Sequence, residues 1–177
     1  MSVQYNVSAL VREPVGAVRE HTIDTRVLVD DNEPRHERVV GHATLLRTKH
    51  GVFASADLEG LQHEPCSRCL RDVEVTMRMT IREEFFATVD ANSDALLAPP
   101  EDPDAFRIDA NHVLDLEEAI RQSWTVALPM QTLCRPECAG LCPRCGHDLN
   151  LGACSCGPDV DERWDGLRVL AQEIERE

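Results

Sequence analysis

Six of the chain's eight cysteines fall between residues 134 and 156, as Cys134, Cys138, Cys142, Cys145, Cys154 and Cys156. This spacing constrains the fold more than any other feature, because little else in the same stretch could order it. Cys142-Pro-Arg-Cys145-Gly146 has the form of a metal knuckle. Two intervening residues let both sulfurs reach one ion, and the glycine permits a tight backbone turn around it. A tetrahedral site takes four ligands, and the six cysteines are its candidates. Cys142 and Cys145 supply one half; either Cys154 with Cys156 or Cys134 with Cys138 completes it. Between Pro129 and Pro158 the large apolar residues are only Met130, Leu133, Leu141, Leu149 and Leu151. So small a set cannot offset the entropy of ordering a segment of this length at roughly 1–2 kcal/mol per residue. Structural zinc contributes an apparent ~10–16 kcal/mol. A structural Zn2+ is therefore expected.

Two other fates for the thiols compete with metal. An even number of cysteines allows disulfides. The chain opens Met1-Ser-Val-Gln-Tyr-Asn6, with neither a basic start nor an apolar run, and no stretch is apolar enough to span a membrane. A cytoplasmic setting is expected, where thiols stay reduced. Packed cysteines without a ligand are the other alternative, since a buried thiol behaves as a small hydrophobe.

Cys66-Ser-Arg-Cys69 forms a second thiol pair, with three readings. A redox pair belongs at a helix N-terminus, whose dipole lowers the thiol pKa, but strand-like sequence follows here. A second knuckle needs outside ligands, such as His63 or cysteines of the distal cluster. The third reading is a pair of cysteines shaping the start of a strand, with Arg68 and Arg71 exposed.

The first ninety residues alternate as strands do. Ile23, Thr25, Val27 and Val29 share a face; Val39, Gly41, Ala43 and Leu45 repeat the pattern. Val52–Leu58 follows the turn residues Lys49-His50-Gly51. In residues 73–81 Val73, Val75, Met77, Met79 and Ile81 alternate with Glu74, Thr76, Arg78 and Thr80, giving an antiparallel strand with one wet face. Ala98-Pro-Pro-Glu-Asp-Pro-Asp104 reads as an exposed loop. A helix follows, with Asp115 and Glu118 as a capping box and Leu116, Ala119, Ile120, Trp124 and Ala127 along one face, stopped by Pro129. A second helix is expected from about Pro158, with Val160, Trp164, Leu167, Leu170, Ala171 and Ile174 as its apolar stripe.

The fold class expected is therefore α+β: an antiparallel sheet or partly closed barrel, then a helix, a Cys-rich zinc-binding segment and a C-terminal helix. Residues 1–89 form the β-rich domain, 90–112 the acidic proline-containing loop, and 113–177 the helical part, with its zinc module at 130–157.

The formal net charge is −14, concentrated in residues 90–118, with nine Asp/Glu against one Arg, and residues 159–177, with seven against three. Such acidity opposes sequence-independent phosphate binding, which needs Lys and Arg to displace counterions. It favours a protein partner or serves solubility. Catalytic constellations are missing: there is no phosphate-cradling glycine loop, nucleophile elbow or H-E-x-x-H. The histidines are scattered, and His147 is a spare ligand or a surface residue. A closed all-cysteine site also leaves no position for a reacting water. Neither an enzyme nor a small-molecule substrate is expected.

Pro65-Cys66-Ser-Arg-Cys69-Leu70, the strand end Glu83-Glu-Phe-Phe86, and Leu141-Cys-Pro-Arg-Cys-Gly-His-Asp-Leu-Asn150 closed by Cys154-Ser-Cys156 resemble the YceD family. The opening Asn6–Leu10 and Asp161–Leu167 sit where that family has similar elements, so the resemblance extends over nearly the whole chain. It implies a cytoplasmic, non-enzymatic factor supporting large-subunit (23S) rRNA processing or accumulation during ribosome biogenesis. Combined with the acidic charge, it implies an assembly factor that grips a basic ribosomal protein or another factor through residues 90–118. Direct contact with large-subunit rRNA would use Arg68, Arg71, Arg78 and Arg82. A zinc-stabilised cytosolic adaptor unrelated to ribosomes is the alternative, and a thiol redox enzyme the third.

The thiol-rich segment yields a first prediction. Chelation should expose residues 130–157 to limited proteolysis while the sheet stays protected. Cleavage unchanged by chelator, in protein free of zinc by elemental analysis, contradicts it.

Overall fold

The computed structural model describes residues 3–30, 35–93, 95–157 and residue 167. Four long strands carry the fold: β2 (Val18–Asp30), β3 (Arg35–Arg47), β4 (Gly51–Pro65) and β5 (Asp72–Ala87). They are preceded by β1 (Gln4–Asn6) and α1 (Ser8–Arg12) and followed by β6 (Arg107–Ile108), β7 (Val113–Asp115) and α2 (Glu117–Ala127). The main sheet has the order β2-β3-β4-β5-β6, antiparallel except for the parallel pairing of Phe86 with Arg107; β1 and β7 form a separate pair. β4 and β5 pair along their whole lengths, from Gly51 opposite Phe86 to Pro65 opposite Asp72.

The alternating residues named from the sequence line the inner face. Ile23, Val27, Val39, Ala43, Leu45, Leu58, Met77, Met79 and Ile81 are buried in one cluster with Leu116, Ala119, Ile120 and Trp124 of the helical segment. α2 packs on both β2 and β5. In the sheet order these strands are separated by two others, each step about 4.8 Å, so one helix reaches both because the sheet curls into a half-barrel. The expectation of an antiparallel sheet or partly closed barrel matches this curled half-barrel in its coarse outline.

Trp124 fills the mouth of the half-barrel and is 1% exposed. Gly60 makes room for it: a Cβ there would lie 2.5 Å from the indole. This explains why β4 runs past the Val52–Leu58 stretch that alternation marks. Its next inward positions are Gly60 and the fully buried Gln62, neither of which signals an apolar face.

Three further features depart from the sequence reading. First, the segment 90–112, read as a loop, contains β6, which is too short to leave a periodic signal. Second, the Asp115/Glu118 capping box does not form. Asp115 Oδ1 accepts from Glu117 N at 2.8 Å, but the Glu118 carboxylate accepts from Arg121 and Gln122 instead of reaching back. Third, α1 was not foreseen; it tucks Leu10 and Val11 into the core. The helix expected after Pro158 lies outside the described residues, apart from Leu167. Among the described residues no helix is long and apolar enough to cross a membrane.

The contact between Gly60 and Trp124 is testable by denaturant unfolding. Trp124→Ala should cost about 3–5 kcal/mol through cavity formation, and Gly60→Ala about 1–3 kcal/mol through overpacking. Because the two groups touch, Gly60→Ala should cost less in the Trp124→Ala background; strictly additive losses contradict the direct contact.

Candidate metal centres

The β4–β5 hairpin ends in a turn at residues 66–71. Cys66 N donates to Arg71 O at 2.8 Å, and Leu70 N donates to Cys66 O at 2.9 Å, with Leu70 in the left-handed region at φ 59°. The second Cys-x-x-Cys repeats this geometry. Cys142 N donates to His147 O at 2.8 Å, Gly146 N donates to Cys142 O at 2.9 Å, and Gly146 has φ 70°. Leu70 thus stands where the distal turn has glycine, in a conformation that costs a residue with a Cβ roughly 1–2 kcal/mol. Of the three readings of this pair, the second knuckle with cysteines from the distal cluster matches the grouping seen here.

The structure sorts the eight thiols into two groups of four. Cys66, Cys69, Cys134 and Cys138 form a proximal group at the hairpin tip; Cys142, Cys145, Cys154 and Cys156 form a distal one. Within each group all sulfurs lie within 4.8 Å of one another. In the proximal group Cys66 Sγ is 3.9 Å from Cys138 Sγ, and Cys69 Sγ is 3.7 Å from Cys134 Sγ. A tetrahedron with metal–sulfur bonds of about 2.3 Å has edges of about 3.8 Å. Disulfide bonds, at about 2.0 Å, are absent, and every cysteine is free. The six distal candidates are therefore divided: Cys134 and Cys138 turn back to the Cys66/Cys69 pair, while Cys154 and Cys156 complete the distal set.

The groups differ in surroundings. Cys66, Cys69 and Cys138 are buried with Val73, Leu133 and Leu141 in a small cluster separate from the main core. In the distal group Cys142 is buried, Cys145 exposed and the other two half-buried. His63 faces Glu74, and His147 contributes its carbonyl to the distal turn; neither belongs to a thiol group.

Each group could hold a metal ion. Backbone N–H groups of Cys69, Arg68 and Cys134 pull the Cys66 thiol down to about 6, and those of Cys145 and Arg144 pull Cys142 down to about 6. Burial drives Cys134 up to about 12, while the neighbouring Cys145 thiol is first among the causes that push Cys156 to about 12. Some sulfurs are poised as thiolates and their neighbours are not. A metal ion among them allows all four to ionise, and four soft sulfur donors fit a tetrahedral ion in a closed site.

Two turns meet across the module. Leu141 N donates to Arg68 O at 3.1 Å, and Arg68 Nη1 donates to Cys138 O at 2.9 Å. Gly140, at φ 77°, brings the chain within reach of the Arg68 carbonyl, which a Cβ would approach to 3.1 Å. Ser67 N donates to Thr132 O at 2.8 Å, anchoring the chain that leaves α2. Sequence reasoning assigned Arg68 to RNA contact and missed this role, because the carbonyls it binds lie about seventy residues away.

The four candidate RNA-contacting arginines fall in two places. Arg68 and Arg71 belong to the turn, where Arg71 pairs with Asp148 at 3.3 Å. Arg78 and Arg82 lie on the exposed face of β5, where Arg78 pairs with Glu59 at 3.0 Å and Arg82 donates to Ser55 Oγ at 3.3 Å.

Known relatives share part of this chain. Uncharacterised proteins of Mycobacterium tuberculosis and Mycobacterium bovis are each 32% identical over 117 residues, covering 66% of this chain and 54% of theirs. An uncharacterised protein of Mycobacterium leprae is 31% identical over 110 residues, covering 62% of this chain and 48% of its own. The chain thus spans about half the length of these curated relatives. No solved structure matches it. The sequence model of the large ribosomal RNA subunit accumulation protein YceD matches residues 54–171. That match starts inside β4, so Asn6–Leu10 lies outside it, and it takes in all eight cysteines. The chain belongs to the YceD family, whose name links it to accumulation of large-subunit ribosomal RNA.

Proposed function

We propose that this protein is a non-enzymatic ribosome biogenesis factor supporting 23S rRNA accumulation, built around two structural zinc ions and acting by holding a basic ribosomal protein or assembly factor. The observation that carries the reading is the pair of closed four-cysteine groups inside the family-matched region. Four thiolates around a tetrahedral ion leave no coordination position for water or substrate, which favours a scaffold over a reaction centre. Zinc is the metal of choice for such a set: thiolate is a soft ligand, and zinc is redox-inert with no geometric demand of its own.

The partner is inferred from charge. Residues 90–118 are strongly acidic, and Glu101, Asp102, Asp104, Asp109 and Glu117 are exposed. Such a surface attracts a basic protein and repels phosphate backbones. Arg71 and Arg78 already face carboxylates, which weakens the case for direct rRNA contact through the arginine set. In this reading the protein works in the cytoplasm on the partner of the RNA.

Elemental analysis of protein purified under reducing conditions should find two zinc ions per chain. Chelation should then loosen residues 66–71 together with 130–157, because Cys66 and Cys69 share the proximal group. One zinc, or none, contradicts the two-centre reading.

The partner is tested in cells. Affinity purification should recover a basic protein of the immature large subunit, the capture should weaken as salt rises, and deletion should lower 23S rRNA. Salt-insensitive capture, or unchanged rRNA on deletion, contradicts the dock or the function respectively.

A further inference from the structure

One residue of the distal loop is aimed at the proximal centre. Asn150 lies between Cys145 and Cys154, yet its Nδ2 donates to Cys138 Sγ at 3.5 Å. The same nitrogen donates to Asp148 Oδ1 at 2.6 Å, while Oδ1 accepts from Ala139 N at 2.9 Å and from Arg135 Nη2 at 2.7 Å. Both ends of the carboxamide are thus spoken for, and three of its four contacts reach residues 135–139, which carry the proximal ligand. The backbone keeps the register: Leu149 N donates to Gly140 O at 2.9 Å, and Asn150 N to Asp148 Oδ1 at 2.9 Å. Asp148 in turn pairs with Arg71, whose carbonyl accepts from Cys66 N.

The distal loop therefore closes over the proximal turn at two points, one on Cys138 and one beside Cys66. An N–H donated to a ligand sulfur holds that ligand in the orientation a metal requires. Asn150 can offer its N–H only while residues 142–156 hold their shape, and few apolar side chains are there to hold them.

We propose that Asn150 is a positioning residue for the proximal metal, and that through it the two centres fill cooperatively. This rests on the reading that both groups take metal. A metal in the distal group closes the 142–156 loop and seats Asn150 against Cys138, so the proximal group binds more tightly. Linkage requires the reverse as well: a filled proximal group pins residues 135–140 and favours the distal loop's closed form. A purely bracing role for Asn150 would stabilise the loop without altering metal affinity next door.

Native mass spectrometry of the reduced, metal-depleted full chain, with less than one equivalent of zinc per site, separates these cases without a variant. Cooperative filling leaves metal-free and doubly loaded chains with little singly loaded form; independent sites give a prominent singly loaded form, and that result overturns the proposal. In Asn150→Ala the singly loaded form should accumulate. Competition with a chromophoric chelator should show proximal affinity weakened by about 10–100-fold, with far-UV circular dichroism confirming an intact sheet. Unchanged proximal affinity in that variant overturns the positioning role. A wild-type chain that takes up no metal removes the underlying reading itself, an outcome distinct from two independently filled sites.

Discussion

Four sulfur atoms crowded within 4.8 Å of one another cannot all carry charge unless a cation lies among them. In the proximal group, backbone donors pull one thiol down to about 6 while burial and neighbouring sulfurs push another up to about 12. That mixture of poised and suppressed thiolates is a standing electrostatic frustration, which a metal ion would relieve. Little apolar packing offsets it, since residues 130–157 contribute only Leu133, Leu141, Cys134 and Cys138 to a small cluster shared with Cys66, Cys69 and Val73. Ligand bonds to a metal ion would take the place of a hydrocarbon core there.

The half-barrel supplies what the metal module cannot. Its long β4–β5 hairpin projects the Cys66–Arg71 turn from a rigid, fully registered pair of strands. α2, locked into the mouth by Trp124 against Gly60, delivers the chain through Leu128 and Pro129 towards the same turn. Apolar packing of the sheet and α2 thus positions the hairpin tip and the start of the returning chain, while residues 130–157 have little such packing of their own. The two forms of stabilisation remain separate in space, because the main core and the cysteine cluster share no residue.

The strands were legible wherever both faces announced themselves. Residues 73–81 alternate without a break and form the middle of β5; residues 23–29 and 39–45 do the same. Reading failed where the inner face carried something other than hydrocarbon, as at Gly60 and Gln62, and where pairing was too brief to leave a period, as at Arg107–Ile108. The capping box failed for a local reason: Arg121, one turn along the helix, is a stronger partner for Glu118 than a backbone N–H.

Composition and spacing alone put late cysteines at metal-ligand spacing with little apolar bulk around them, and a one-sided sheet ahead of them. Both follow from local chemistry: thiol spacing sets what a metal can reach, and period-two alternation sets which face is wet. Which cysteines join which group was decided only in three dimensions. Cys134 and Cys138 could have closed around Cys142 and Cys145, but the return of the chain from α2 sets them against a hairpin tip about seventy residues earlier. Spacing along the chain says how close ligands can come, whereas folding determines which of them do.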